Sequence, residues 1–480
     1  MNSISTSSLR SFYFCSFLFA LLCAVGLCLQ QPVIAASGVF IIIAIWLVQN
    51  PILLMYVLLA AIPWSVEYSV TGTLSTDLPD EPLMLLLSLF VLAFSIFHRH
   101  KIFPFVQRSP LLALLLVQFI WMMITVMNST NVFLSLKFLL AKSWYLLAFV
   151  GGALIFFRDK KNILTSALVL IASMLILTIT VLSRHSITGF TFDTINVSVT
   201  PFFRNHVTYS ASLVCTTSII YLFVQNSVSS KRKYVFIFLL LLSLVALYFS
   251  YARGAWIAFI AGGISIWLLK KQLLLPAFLI AVFIVVTSFL WLKKDSRYIA
   301  FAHDYNTTIF HKDFQEHLIA TYKLKDVSTA ERFYRWIAGV RMAKEYWHTG
   351  SGPNTFYPNY KSYTIPLFRT WVSKNEDRST VHNYFLLTLV EQGVMGLLLL
   401  LSLIGYMYYV AQKIYKRSRD GFWKTTAICI ASILSMICTL NFLSDLIETD
   451  KVGSIFYLCL GTLIVADLKT RPESDPSPHI

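Results

Sequence analysis

Three polar constellations interrupt an otherwise apolar chain, and each has residue types suited to group-transfer chemistry. Ser250-Tyr251-Ala252-Arg253-Gly254-Ala255-Trp256 joins two apolar runs with almost no loop. It holds Arg253 between two helix ends, where the planar guanidinium fork could grip a diphosphate through paired hydrogen bonds. An interfacial arginine that only snorkels is the plainer alternative. Arg204-Asn205-His206 precedes the next-nearest run upstream. Two cations held near one another repel, so a shared anion is a natural partner for Arg204 and Arg253; two separate surface arginines are the alternative. His382-Asn383 opens a strongly apolar run that carries Glu391-Gln392-Gly393 and Gly396. On a helix, eleven residues return to within about 20° of the starting direction, so His382 and Gly393 are expected on one face. The glycines would admit a neighbouring helix. A histidine there can act as a general base near neutral pH, or simply cap the helix.

Weaker candidates surround these. Lys142 is deep in an apolar run, so it should pair or line a cavity, whereas Lys137 is shallow enough to snorkel. Glu331, Arg332 and Arg335 lie on a stretch, 330–347, that reads as an amphipathic helix with Phe333, Trp336, Ile337 and Val340 on one side. Gly350-Ser351-Gly352-Pro353-Asn354-Thr355-Phe356 reads most simply as a turn after it. Asp445, Glu448 and Asp450 form the nearest approach to an acidic metal motif, but no histidine or second acidic pair is close in sequence, so no metal is expected. No zinc-protease, P-loop or serine-hydrolase motif is present.

The elements that must position these residues are membrane spans. Of the 480 residues, 57% are hydrophobic and 13% charged, against about 25% charged in soluble domains. Those proportions exclude a soluble enzyme, a disordered chain and a disulfide scaffold, and the length of the apolar runs excludes a β-barrel. About fourteen spans are predicted: 11–29, 33–49, 51–66, 83–98, 110–127, 133–157, 162–182, 206–225, 234–250, 254–269, 273–292, 382–411, 422–443 and 452–468. With Pro51 and Pro63 pointing to turns or a re-entrant piece, the count is 12–14 and the fold all-α, a polytopic integral membrane protein. The seven cysteines all lie in apolar segments and read as core hydrophobes. The net charge of +16 resides mostly in short clusters between runs, such as Lys231-Arg232-Lys233 and Lys413, Lys416 and Arg417. That marks a cytoplasmic side and argues against nucleic acid. Arg10 alone precedes the first run, so a cleaved signal peptide is not expected.

Both termini then fall inside and residues 293–381, the one long polar insertion, outside. The chain divides into an N-terminal bundle (1–200), helices bearing the outer arginines (201–292), the large extracytoplasmic loop (293–381), C-terminal helices (382–468) and a cytoplasmic tail (469–480). There are no internal repeats, and the polar candidates gather at one face. Both points weigh against a flippase or other transporter.

Over roughly residues 200–400 the sequence resembles the O-antigen ligase and O-antigen polymerase family of bacterial membrane glycosyltransferases. The resemblance rests on Ser250 to Trp256, Arg332 with Trp336, Gly350-Ser351-Gly352 to Phe356, and His382-Asn383 with Glu391 and Gly393, in that order and with the large loop between the arginine pair and the histidine. It implies the membrane-embedded C-type glycosyltransferase fold and a metal-independent, inverting transferase without cofactor. The donor would be a glycan on undecaprenyl diphosphate in the bacterial inner membrane. The acceptor would be a sugar hydroxyl, on lipid A core in a ligase or on a lipid-linked glycan in a polymerase. His382 would take the acceptor proton, and Arg253 and Arg204 would hold the diphosphate. Arg332, His206, Lys142, Glu391 and Asn383 are the secondary candidates.

Overall fold

Helix ends are written into this sequence by short polar residues. Ser109, Asn131, Asp159, Asn205, Asn383, Asp420 and Thr449 each accept a backbone N–H from the first turn of the helix that follows, satisfying donors that a helix start leaves orphaned. Between such caps run apolar stretches long enough to cross a bilayer. The computed structural model describes residues 49–71, 74–99, 108–294, 299, 327–370, 373 and 380–471. Among them are eleven helices of membrane-spanning length and composition: α2 (Asp80–Phe97), α3 (Pro110–Met127), α4 (Val132–Phe156), α5 (Lys160–Ile187), α6 (His206–Asn226), α7 (Ser230–Phe249), α8 (Arg253–Lys270), α9 (Leu274–Lys293), α11 (Tyr384–Arg417), α12 (Gly421–Leu443) and α13 (Asp450–Lys469). The protein is an all-α polytopic membrane protein. The spans expected at 11–29 and 33–49 lie outside the described residues.

The expected span at 51–66 is corrected. Its helix, α1 (Pro51–Ala61), starts on one proline and ends in a tight 3₁₀ turn, Ile62–Trp64, that contains the other, making it shorter than the other spans. The chain then forms a two-stranded antiparallel hairpin, β1 (Val66–Thr71) and β2 (Leu74–Leu78). Lys451 at the start of α13 holds the hairpin's root: its ammonium donates to the carbonyls of Ile62 (3.1 Å) and Ser65 (3.0 Å).

α6, α12 and α13 are the interior helices, buried along most of their length, whereas α7 and α9 leave most of theirs exposed. Ser218 of α6 meets Ser432 of α12 at 2.9 Å inside the bundle. Successive spans alternate in direction. The hairpin, the connections 128–131, 188–205, 250–252 and 444–449, and residues 294 and 380–383 therefore share one face, and Asp159, Ser229, Lys271 and Asp420 share the other. All three primary candidates, Arg204, Arg253 and His382, fall on the first face.

The amphipathic helix of the long connection is present as α10 (Val327–Glu345), but it is turned relative to expectation. Glu331, Tyr334, Arg335, Ala338 and Met342 are buried, while Phe333, Trp336, Ile337 and Val340 are only half-buried. Arg335 can be inward because Glu331 meets it at 2.9 Å and Thr380 offers a carbonyl at 3.1 Å.

Candidate active site

The C-terminal end of α12 is the hub of the site. Leu443 offers its carbonyl to the Arg332 guanidinium (Nε donating, 3.1 Å), and its side chain packs on Gly254, next to Arg253. The Phe442 ring meets Trp336 edge-on, centroids 6.0 Å apart. Ser444 accepts the backbone N–H of Tyr384 at 3.0 Å. The Trp336 indole donates to the His382 carbonyl at 3.4 Å. Residues distant in sequence, Arg253, Arg332 and His382, are thus gathered around one helix terminus.

His382 is half-buried and takes a left-handed backbone, φ 54°, which costs a non-glycine residue on the order of 1 kcal/mol. The contacts to Trp336, to the Thr380 hydroxyl (3.3 Å) and through Tyr384 hold it there. Burial, and then the positive charges of Arg332 and Arg335, push its pKa down to about 3. The imidazole is therefore neutral at rest, the protonation state of a base, though a weak one. The expected helix geometry is corrected here. The helix begins at Tyr384, and Asn383 is the cap, its side-chain oxygen accepting from Leu386 N at 3.0 Å.

Gly393 does not share a helix face with His382 either. At φ 68°, ψ −174° it breaks α11, a conformation open essentially to glycine alone. The Gly350–Phe356 segment docks against the break. Val390 and Glu391 lend their freed carbonyls to Ser351 N (2.9 Å) and Gly352 N (3.0 Å), and Val394 N turns to the Trp347 carbonyl (2.9 Å). The Trp121 indole takes the Gln392 carbonyl at 2.9 Å. Gly350, also at positive φ, lies so close that a Cβ would stand 2.2 Å from the Glu391 carbonyl. The buried Glu391 carboxylate completes the joint by accepting from Asn354 N (2.9 Å) and Phe356 N (3.0 Å). Glu391 is therefore a staple between the 350–356 segment and α11, and the Gly-Ser-Gly run is a docking element rather than a free turn.

The remaining candidates sit around this core. Arg204 is exposed and paired with Glu67 of β1 at 2.7 Å, a partner 137 residues away that no pattern of residue types points to. It lies close enough to Asp445 to lower that carboxyl's pKa, although burial, the largest effect, still leaves Asp445 raised. His206 shares the Asn196 side-chain oxygen through its own N–H (3.0 Å) and ring Nδ1 (2.9 Å). Lys142 is buried and pairs with Glu448 at 2.8 Å, so the 444–449 connection reaches down to it. Lys142, Gln118, Tyr384 and Tyr457 form the polar side of a cleft otherwise lined by Leu115, Phe119, Leu400, Leu403 and neighbouring apolar residues of α3, α4, α11 and α13. Among the described residues no group of histidine, cysteine and carboxylate side chains is arranged to hold a metal.

No curated protein matches the chain. Residues 238–401 match the family model described as O-Antigen ligase. That stretch runs from α7 to the middle of α11 and takes in Arg253, Arg332, His382, Glu391 and Gly393. The match is to that stretch, about a third of the chain, and supports a likeness to ligase- and polymerase-type proteins there.

Proposed function

We propose that the protein is an O-antigen ligase-like glycosyltransferase working at the outer face of the bacterial inner membrane. It moves a glycan from undecaprenyl diphosphate to a hydroxyl of lipid A core. The observation that carries this reading is that His382 feels the charges of Arg332 and Arg335, while Arg332 and the segment beginning Arg253-Gly254 both reach Leu443 at the C-terminal end of α12. In a single displacement with inversion, the acceptor oxygen bonds to the anomeric carbon, the bond to the diphosphate breaks, and the acceptor proton passes to His382. The lipid diphosphate leaves with its negative charge facing Arg253 and Arg204. Fixed cations aimed at a developing anion are worth most in a water-poor site and need no metal to supply the charge.

His382 becomes a competent base only when the donor is present. The diphosphate's negative charge offsets Arg332 and Arg335, two of the causes that depress the imidazole, and so raises its pKa toward the working range. Basicity would then be coupled to donor occupancy.

The test is the lipopolysaccharide of a strain lacking the gene. Lipid A core without long chains, together with accumulated lipid-linked polymer, is the expected result. Core carrying a single repeat would make the protein a polymerase of the same family. Unchanged lipopolysaccharide would overturn both.

A further inference from the structure

A cluster of aromatic rings stands beside Arg253 and has no part in the mechanism above. Tyr251 and Phe192 meet edge to face, centroids 5.7 Å apart and planes at 68°, so the two half-buried rings form a corner. Phe192 touches the His206 ring at 6.1 Å. Behind them Phe190 stacks on Phe249 at 4.3 Å, and the buried His185 packs edge-on against Phe190 at 5.2 Å. The Tyr251 hydroxyl donates to the Phe190 carbonyl at 2.6 Å, which fixes the tilt of the Tyr251 ring.

Two of these residues are held in a costly conformation. Phe190 and Tyr251 both have φ 55°, which bulky side chains rarely adopt. Aromatic residues that only anchor a protein at the bilayer surface need no such backbone; strain of this kind is retained where a ring must be presented in one place. The rim of the corner is polar, with Asp193 and Asn196 exposed and His206 partly so. Apolar ring faces bordered by hydroxyl-bonding groups suit a sugar, whose ring has C–H faces and an equatorial belt of hydroxyls.

We infer that the corner formed by Tyr251 and Phe192 binds the first pyranose ring of the donor glycan. This rests on the reading of Arg253 as a diphosphate contact. The first sugar is bonded directly to the diphosphate, and Tyr251 lies two residues from Arg253, at most about 7 Å along the backbone. A sugar attached to a phosphate held by Arg253 is therefore within reach of the Tyr251 ring. The corner then selects a glycan-bearing lipid over the sugar-free lipid diphosphate that is the reaction's product.

The experiment measures binding of two lipids to the full-length protein in detergent: the lipid-linked glycan extracted from cells lacking this protein, and sugar-free undecaprenyl diphosphate. The variants are Tyr251→Gly, which removes the ring at a φ that glycine tolerates, and Phe192→Leu, which keeps bulk but not the ring. Each should weaken binding of the glycan-bearing lipid about three- to tenfold, the scale of one aromatic contact, and leave sugar-free binding unchanged. Equal weakening of both lipids, or an unchanged preference for the glycan-bearing one in both variants, would overturn the platform while leaving the diphosphate site standing. Wild-type protein that binds neither lipid would instead overturn the diphosphate reading beneath it.

Discussion

Replacing Glu391 with glutamine tests the joint between the 350–356 segment and α11. The wild-type carboxylate accepts two backbone N–H groups, from Asn354 and Phe356. Glutamine has the same shape but only one acceptor oxygen, and its NH₂ group would face a second N–H. One hydrogen bond, about 0.5–1.5 kcal/mol, is lost, and a buried donor is left unsatisfied at about 1–3 kcal/mol. Allowing for overlap between these terms, the docked loop should lose about 2–4 kcal/mol, which is roughly a 30- to 900-fold rise in its open population. Hydrogen exchange of peptides covering 350–356 reads that population directly, with peptides from α10 as the internal comparison. Transfer should fall well short of the roughly 10²–10⁴-fold loss expected for a general base, because His382 is held by separate bonds to Trp336, Thr380 and, through Tyr384, Ser444. Unchanged exchange at 350–356 would refute the staple, and a base-sized loss of transfer with a still-protected loop would make Glu391 the base.

Five further outcomes follow from the same geometry. His382→Gln should lower transfer by about 10²–10⁴-fold with donor binding retained, since an amide can hold the acceptor hydroxyl but cannot take its proton; near wild-type turnover would remove His382 as base. The depressed pKa of His382, about 3 in the resting protein, sets a pH signature. The acid limb of kcat/KM, which reports the free enzyme, should lie near that value, and the limb of kcat should lie higher, because the bound diphosphate raises the pKa; coincident limbs would show that donor and histidine are not coupled. Arg253→Ala should cost about 10²–10³-fold with only partial rescue by lysine. By contrast Glu67→Gln should tighten donor binding modestly by freeing Arg204 from an exposed pair worth no more than about 1 kcal/mol; a weaker donor interaction in Glu67→Gln would mean that the pair positions Arg204 for its task. Lys361→Cys, exposed on the outer connection, should react with a membrane-impermeant thiol reagent once the outer membrane is permeabilised, and protection there would reverse the orientation.

The spans were legible because length and apolarity alone decide whether a segment can cross a bilayer. Every run predicted from 83 onward is a helix of spanning length in the structure. Pro51 and Pro63 marked the weak span correctly, but the hairpin after it could not be foreseen. Its root is held by Lys451, which donates to Ser65 from 386 residues away in the sequence. The candidate arginines and His382 could be chosen by type and position, whereas their meeting point could not, because it consists largely of backbone atoms of Leu443 and Ser444. Gly393 was visible as a glycine in a helical pattern. A glycine there means either close packing or a broken helix, and only the docked 347–356 segment distinguishes the two. The face of α10 was misjudged because hydrophobicity ranks Arg335 as outward, and the Glu331 and Thr380 contacts that let it turn inward are invisible to a pattern of residue types.

The pair between Lys142 and Glu448 has a consequence for how the molecule is made. Lys142 sits in α4, which leaves the ribosome early, while Glu448 lies between α12 and α13, near the end of the chain. Until those last helices enter the bilayer, α4 must carry an unneutralised ammonium, a burden of about 2.5–3.5 kcal/mol at a span centre. During synthesis the nascent bundle therefore holds α4 loosely, near the translocation machinery or water, and fastens it only on arrival of α12 and α13. A chain cut short before residue 448 would differ from the finished protein in charge as well as length. It would display a lone cation within the membrane, a mark by which a quality-control protease could recognise an unfinished copy.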